Sequence, residues 1–509
     1  MTLRLVDTPI PAPMPDLSPR SDSWRRELEP AIVGASGVTA TLERLREPGA
    51  LVVSTGQQPG LFVGPAYVLY KALSARALAR LLETRWKRPV VPVYWVPGDD
   101  HDLGEVATAA WIGGDGALVT ARLPARASDA PLTPLWREPL GEGIAELLQL
   151  FEASLPASDA RDAVTSWLRR HYRAGATVAG AFAGALAELV APLGILCLDS
   201  THAAVKAAAA PLLLRALEDG RTLDAELAAA HRALEARGVV PGVTVGDGAA
   251  LVFVDGPLGR DRLVLDGDAF HLRRAKQRID AAELGRLAER DPRALSPNVL
   301  LRPVVESALL PTVAYVAGPG ELRYLELAHP IYRRMGVPIQ TPVPRWSGLV
   351  VEPRVTRLLE KLGASIEDLQ RPGAELEERI ARAALPEGTE RAFVTLRELI
   401  ERGYGSVSEM ARAVDPTLER PAASARGQAL HAAAELEKKL IQHARKREAT
   451  ELGQVQRARA SIRPDGRPQE RVLTPAGFLA RYGTGLLDDL ARHIDAWYAR
   501  ALEAAPVTA

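Results

Sequence analysis

The sequence predicts an α/β protein whose core is a Rossmann-like, doubly wound parallel sheet, split by inserted subdomains and followed by a long helical region. Three observations carry that prediction. Residues 51–96 run strand, glycine-rich turn, amphipathic helix, strand, which is a βαβ unit. Uninterrupted apolar runs recur near residues 193–198 and 312–317, as strands covered on both faces require. The last third exchanges short apolar runs for helical stripes set in charged sequence.

Taken in order, the first fifty residues are proline-rich and then helical, and they read as a leading arm, 1–50. Leu51-Val-Val-Ser54 is a short strand, and Thr55-Gly-Gln-Gln-Pro-Gly60 the turn after it. Beyond Gly64-Pro65, the residues Val68, Leu69, Ala72, Leu73, Ala77, Leu78 and Leu81 keep helical spacing. Pro65 suits a first helical turn, where its missing N–H costs nothing. Pro89–Val96 is apolar throughout and reads as the next buried strand, joined by a right-handed crossover. Leu193–Leu198, Thr312–Ala317 and Val337–Thr341 complete the strand set. The core is thus expected over 51–104, 191–204 and 305–350, with a helical insertion at 105–190 and a second insertion at 205–304. The second contains Leu251–Leu265, a β-hairpin pattern. In 351–465, one stripe runs Val355, Leu358, Leu359, Leu362, Ile366, Leu369, and another Ala429, Ala433, Leu436, Leu440, Ala444, Leu452, Val455. A narrow apolar seam flanked by charge is what a coiled coil or long helical hairpin requires, and a helix packed on its own domain is the plain alternative.

Composition removes several functions. The 509 residues carry 63 basic and 63 acidic side chains, so the footprint of a general nucleic-acid binder is missing. Hydrophobic residues at 47% exclude wholesale disorder. Cys197 is the single cysteine, so no intrachain disulfide, thiolate zinc cluster or Cys-x-x-Cys pair can form; its apolar run reads as a buried strand. No run approaches the length of a membrane helix, and the first residues lack a signal-peptide pattern, so a cytoplasmic location is expected.

Chemistry is expected where strands of an open parallel sheet end. Ser54–Pro65 has glycines that let a backbone approach a ligand, and a helix start that suits a phosphate; a purely structural turn is the alternative. It matches neither a Walker loop nor the dinucleotide fingerprint. Gly98-Asp-Asp-His-Asp102 places three carboxylates and an imidazole after a buried strand, where mutual repulsion and pairing perturb pKa values. His101 suits a base, a phosphate donor or a partner in a divalent-ion site, against a solvated helix-capping turn. The remaining histidines lack zinc spacing, and no dedicated zinc site is expected. Asn298, Arg302 and Glu306 are spaced by fours, but Pro303 argues against a regular helix there. Arg302 is a fork-shaped donor for a carboxylate or phosphate, and a buried ion-pair network is the alternative.

Taken together these segments resemble the BshC family of bacillithiol biosynthesis. The resemblance rests on Thr55-Gly-Gln-Gln-Pro-Gly-Leu-Phe62 with Gly64-Pro65 and Tyr70-Lys71, and on Tyr94-Trp-Val-Pro-Gly-Asp-Asp-His-Asp102. It continues through Ser296–Pro303, Leu310–Glu321, Val343-Pro-Arg345, Pro464–Val472 and Phe478 to Tyr482-Gly483. The resemblance implies a core like class I aminoacyl-tRNA synthetases and nucleotidyltransferases, a C-terminal coiled coil that makes a homodimer, and a segment 466–509 returning to the core. It also implies a ligase that adds L-cysteine to glucosaminyl malate. ATP, with Mg2+ as its companion, is expected to activate the carboxylate, because an amine does not displace oxygen from an unactivated one. The phosphates are then expected at Thr55, Gly56, Gln57, Gln58, Gly60, Gly64 and Lys71, and catalysis at His101, Asp100 and Asp102. The substrate is expected at Asp99, Asn298, Arg302, Gly318, Gly320, Glu321 and Tyr324, with Gln469, Glu470 and Arg471 closing over it. The histidine-rich and lysine–serine signatures of the synthetases are missing from the chain. Competing readings are a nucleotidyltransferase acting on another small acid, and a non-catalytic scaffold built on the coiled coil.

Overall fold

Apolar runs and turn residues set the course of the chain. The computed structural model describes residues 3–9 and 14–503; positions 1, 2 and 10–13 of the expected arm, and 504–509 of the expected closing segment, lie outside the described residues. Two units emerge, one holding Leu5–Leu349 and the chain from Gln469 onward, the other Val350–Pro468.

The larger unit begins with the arm, whose Arg20 donates to Ser307 Oγ at 2.7 Å and Thr312 O at 2.8 Å. Helix α1 (Thr39–Arg46) leads into strand β1 (Leu51–Gly56), helix α2 (Tyr67–Trp86) and strand β2 (Val90–Val96). Every residue of β1 and β2 is buried, as two-sided helical cover demands. Helix α2 buries the expected positions up to Leu78, but at its end Leu82 rather than Leu81 turns inward.

The first insertion opens with a short helix, α3 (Leu103–Val106), and a hairpin of β3 (Thr108–Ile112) and β4 (Leu118–Arg122). Helices α4 (Ile144–Ser154), α5 (Asp159–His171) and α6 (Val178–Val190) follow. The expected helical insertion therefore also carries strands. Strand β5 (Leu196–Asp199) starts three residues later than its apolar run, because 191–193 form a 3-10 turn closed by left-handed Gly194.

After helices α7 (Ala203–Glu218) and α8 (Gly220–Ala236) comes the hairpin anticipated at 251–265, here β6 (Ala249–Gly256) and β7 (Gly259–Asp266). Strands β8 (Ala269–Leu272) and β9 (Arg278–Ile279), helix α9 (Ala281–Arg290) and strand β10 (Leu295–Pro297) enlarge it. The result is an antiparallel sheet ordered β9-β8-β7-β6-β10.

The core resumes with α10 (Arg302–Leu309), β11 (Thr312–Ala317), α11 (Pro319–Tyr324), α12 (His329–Met335) and β12 (Thr341–Pro344). Two expectations need correction. Pro303 does not prevent a helix, because it sits at the start of α10 where no N–H partner is lost. The strand expected at 337–341 instead begins at Thr341. The parallel sheet is ordered β12-β11-β1-β2-β5. The chain winds outward from β1 through β2 to β5, then returns to the other side for β11 and β12. That reversal makes the carboxyl ends of β1 and β11 the topological switch point, where ligands bind in such sheets.

In the smaller unit, α13 (Pro353–Leu362) ends at left-handed Gly363, and α14 (Ile366–Gln370) and α15 (Glu375–Ala383) follow. Helices α16 (Thr389–Val414) and α17 (Glu419–Arg447) form a hairpin braced by Arg397–Glu437 at 2.7 Å, and α18 (Ala449–Ile462) closes the unit. Ala433, Ala444 and Val455 of the second stripe are buried, whereas Leu436 and Leu440 are exposed. Back in the larger unit, α19 (Pro475–Tyr482) leads to α20 (Gly485–Glu503), which packs on α2 through Arg76–Asp495 at 3.0 Å.

Candidate functional site

A cleft of about 530 Å³ opens at the switch point, within the range of small-molecule sites. Its floor is made where strands end: Gly56, Gln57 and Gln58 after β1, Asp99, Asp100 and His101 after β2, and Ser200 after β5. Lys206 of α7 and Glu321 and Tyr324 of α11 form its sides. Phe253 of β6, Arg260 and Arg262 of β7, Asn298 and Arg302 come from the second insertion and its exit. Gly56 is required by chain packing, since a Cβ there would meet Trp95 O at 2.6 Å.

Charges in this cleft come in opposed pairs. Lys206, 2% exposed, donates to Asp99 Oδ1 at 2.8 Å. Buried Lys71 stands behind the floor and holds Gly56 O at 2.6 Å and Glu321 Oε2 at 2.5 Å. Glu321 also accepts from Tyr315 OH and the Gly318 N–H, each at 2.7 Å. Burial pushes the Glu321 carboxyl up, but Lys71, the Gly318 N–H and Arg302 together outweigh it and leave the group below its usual range. Arg302 donates to Glu306 Oε2 at 2.6 Å and lies over the Tyr315 ring, its centre 5.0 Å from the centroid.

The Asp100–His101 pair is organised by the insertion. Arg260 lies on the face of Phe253, 3.9 Å from the ring centroid, and donates to Ser296 Oγ and Pro297 O, both at 3.0 Å. Its Nη1 is then 3.4 Å from His101 Nδ1 and 3.6 Å from Asp100 Oδ1. Asp100 also accepts the His101 backbone N–H at 2.6 Å and the Gln58 amide. Burial raises the Asp100 carboxyl, yet Arg260, Gln58 and the His101 N–H together hold it low. For His101, burial and then the Arg260 charge push the pKa down, with Asp100 opposing. A guanidinium only donates, so the neutral imidazole offers Nδ1 as acceptor and carries its proton on Nε2.

The structure brings Gly56, Gln57, Gln58, Asp99, Asp100, His101, Asn298, Arg302, Glu321 and Tyr324 to the cleft wall. Other expected residues lie elsewhere. Thr55 Oγ1 is tied to Val316 O at 2.8 Å within the sheet. Gly60 and Gly64 are buried in a self-contained turn: the Val63 N–H goes to Tyr172 OH at 3.0 Å and the Gly64 N–H to Leu61 O at 3.0 Å. These amides are occupied, so that turn cannot cradle a phosphate in this conformation. Lys71 and Gly318 act one layer behind the wall, through Glu321, and Gly320 does not line it. Asp102 faces outward and caps α3, accepting from the Glu105 N–H at 3.1 Å. Glu470 is buried against Arg345 Nη1 at 2.9 Å and Ser347 Oγ at 2.8 Å; Gln469 is buried beside it, and Arg471 is exposed. None of the three lines the cleft.

Sequence reasoning missed Lys206, Arg260, Phe253 and Glu105. Arg260 was within reach as a cation in the recognised hairpin, but nothing in the sequence aims that hairpin at His101.

Comparison with known proteins agrees with this layout. The chain matches the description "Bacillithiol biosynthesis BshC, N-terminal Rossmann-like domain" over residues 29–346, and "Bacillithiol biosynthesis BshC, C-terminal coiled-coil domain" over 348–498. A protein of Salinibacter ruber named "Putative cysteine ligase BshC" is 32% identical over 453 residues, covering 89% of this chain and 82% of its own. Proteins of the same name from Symbiobacterium thermophilum and Heliobacterium modesticaldum are each 31% identical, covering 91% and 94% of this chain and 86% and 88% of theirs.

Proposed function

The chain belongs to the BshC family of bacillithiol biosynthesis, and from that premise we propose that it is a ligase joining the carboxylate of L-cysteine to the amine of glucosaminyl malate. The observation that carries this reading is the switch-point cleft, where braced carboxylates alternate with fixed cations. Such a lining suits substrates that carry both ammonium and carboxylate groups.

Amide formation needs an activated acyl group, and ATP is the proposed source. Its phosphates would run beside Gln57, Gln58 and His101 rather than along Gly60–Gly64, with Mg2+ accompanying them. His101, uncharged and protonated on Nε2, would donate to the oxygen on which negative charge develops as the carboxylate attacks phosphorus. Burial and Arg260 keep the ring uncharged, and Arg260, itself drawn to Asp100, fixes its orientation. Asp99, held by Lys206, offers a carboxylate to an incoming ammonium, and Arg302, anchored on Glu306, a guanidinium edge to a carboxylate. The Lys71–Glu321 pair braces the end of β1 against α11 and keeps the wall in shape.

We also propose a homodimer through α16 and α17, where Leu399, Val407, Met410 and Val414 are 54–80% exposed. A helix face with that much apolar surface gains by pairing.

The test is reconstitution with ATP, Mg2+, L-cysteine and glucosaminyl malate, read by mass spectrometry. The expected result is a product heavier than the amino sugar by one cysteinyl residue, formed with ATP consumption. No cysteinyl product from protein that is folded and binds ATP overturns the reading. AMP with pyrophosphate identifies an acyl-adenylate, and ADP with phosphate an acyl-phosphate.

A further inference from the structure

Amide formation needs a base, because the attacking amine enters as an ammonium without a free electron pair. The carboxylates around the cleft are nearly all committed. Asp99 is held by Lys206, Asp100 by the His101 N–H, Gln58 and Arg260, and Glu321 by Lys71 and Tyr315. Asp102 caps α3. Glu105 differs: it lines the cleft, and among the described residues its carboxylate has no hydrogen bond or ion pair. Its backbone is fixed nonetheless, since its N–H bonds Asp102 Oδ1 at 3.1 Å. His101 is a poor alternative base, because its unprotonated nitrogen faces Arg260.

We propose that Glu105 is the catalytic base of the amide-forming step. The inference rests on the ligase reading and assigns the proton transfer within it. One proton of the ammonium passes to a Glu105 oxygen, and the freed nitrogen pair attacks the carbonyl carbon of the activated cysteine. The bond from that carbon to the phosphate-bearing oxygen breaks, and its electron pair leaves with the phosphate. The second nitrogen proton goes to water as the amide forms, and Glu105 then returns its proton to solvent.

The surroundings suit the task. Partial burial, followed by the negative charges of Asp100 and Asp102, raises the Glu105 carboxyl above its ordinary value, which strengthens it as a base. The Glu105 charge also acts on Tyr67, whose hydroxyl, with its pKa pushed up to about 12 chiefly by burial, stays neutral.

The experiment uses E105Q in the full-length protein, with two acceptors for the activated cysteine. Hydroxylamine is already unprotonated at neutral pH and needs no base. Glucosaminyl malate does. The expected result is loss of cysteinyl transfer to glucosaminyl malate by about 10²–10⁴-fold in kcat, with cysteine hydroxamate formation unchanged. Retained hydroxamate formation also shows that the variant is folded and still activates cysteine. The proposal is overturned if E105Q transfers to glucosaminyl malate at the wild-type rate, or if both acceptors fail together. If wild-type protein yields neither product, the ligase reading itself falls, and this inference with it.

Discussion

Replacing Arg260 with methionine isolates the electrostatics of the cleft. The side chain keeps an apolar stem against Phe253 and loses the guanidinium that sits 3.4 Å from His101 Nδ1 and 3.6 Å from Asp100. At an effective dielectric of 20, repulsion between Arg260 and a protonated His101 is about 5 kcal/mol. The opposing attraction from Asp100, 3.5 Å from Nδ1, is also about 5 kcal/mol at that dielectric. The two nearly cancel, so burial sets the sign and His101 titrates below its ordinary value. Without Arg260, only burial and the weaker charge of Arg126 oppose the Asp100 attraction. Its full value corresponds to roughly three to four pKa units at 1.36 kcal/mol each, and solvent in the cleft reduces that to a rise of at least about one unit. Nuclear magnetic resonance titration of the histidine ring protons, with His101 assigned through H101Q, measures the change directly. The His101 pKa is expected to cross from below the ordinary histidine value to above it in R260M, and to stay low in R260K. Linkage gives a second readout with a definite sign. In the wild type the depressed pKa makes stability fall as pH drops through the unfolded-state value; in R260M the raised pKa adds stability at low pH that is lost as pH rises through the folded value. The stability of R260M relative to the wild type should therefore rise on acidification below neutrality. A His101 pKa that remains below the ordinary value in R260M refutes the reasoning.

Three further outcomes follow from other contacts. Lys71→Met strands Glu321 in a buried setting and should cost about 3–5 kcal/mol by denaturant midpoint, as broken buried pairs do. K71M/E321Q should recover part of that loss; a double variant no more stable than K71M shows that the pair is not coupled. Cys197, buried on β5 with its thiol pushed far up by burial, should resist alkylation in the native protein and react at once in denaturant, by mass-spectrometric counting of label. V407E/M410E on α16 should shift the sedimentation of a dimer toward monomer without changing helix content by circular dichroism.

The parallel core was legible because its code is local. Runs such as Val90–Val96 are apolar at every position, and only a strand covered on both faces calls for that in so short a segment. The misplaced boundaries have local causes too: Gly194 adopts a left-handed conformation that closes a 3-10 turn before β5. By residue type Pro303 argues against a helix, although in the first turn of α10 it breaks nothing. The hairpin at 249–266 was visible by its turn and flanking apolar runs, but its place above the switch point was not. That depends on tertiary contacts such as Arg260 to Ser296, which no periodicity encodes.

The site was half legible for a related reason. A glycine-rich turn after a strand has two physical explanations, close approach of a ligand and close approach of the chain to itself. Sequence composition is the same for both. At Gly60 the second holds, because a Cβ would lie 1.9 Å from Gly64 O. Asp99, Asp100 and His101 were found because three titratable groups beside a buried strand are costly to keep without a use. Their division of labour stayed hidden, since each role is set by a partner far along the chain: Lys206 for Asp99, and Arg260, 159 residues away, for His101. Glu105 shows the limit most clearly. It belongs to the same acidic stretch as Asp102, three residues on, and nothing in the sequence ranks one above the other. Only when each carboxylate is matched to its cation or N–H donor does one remain that can still take a proton.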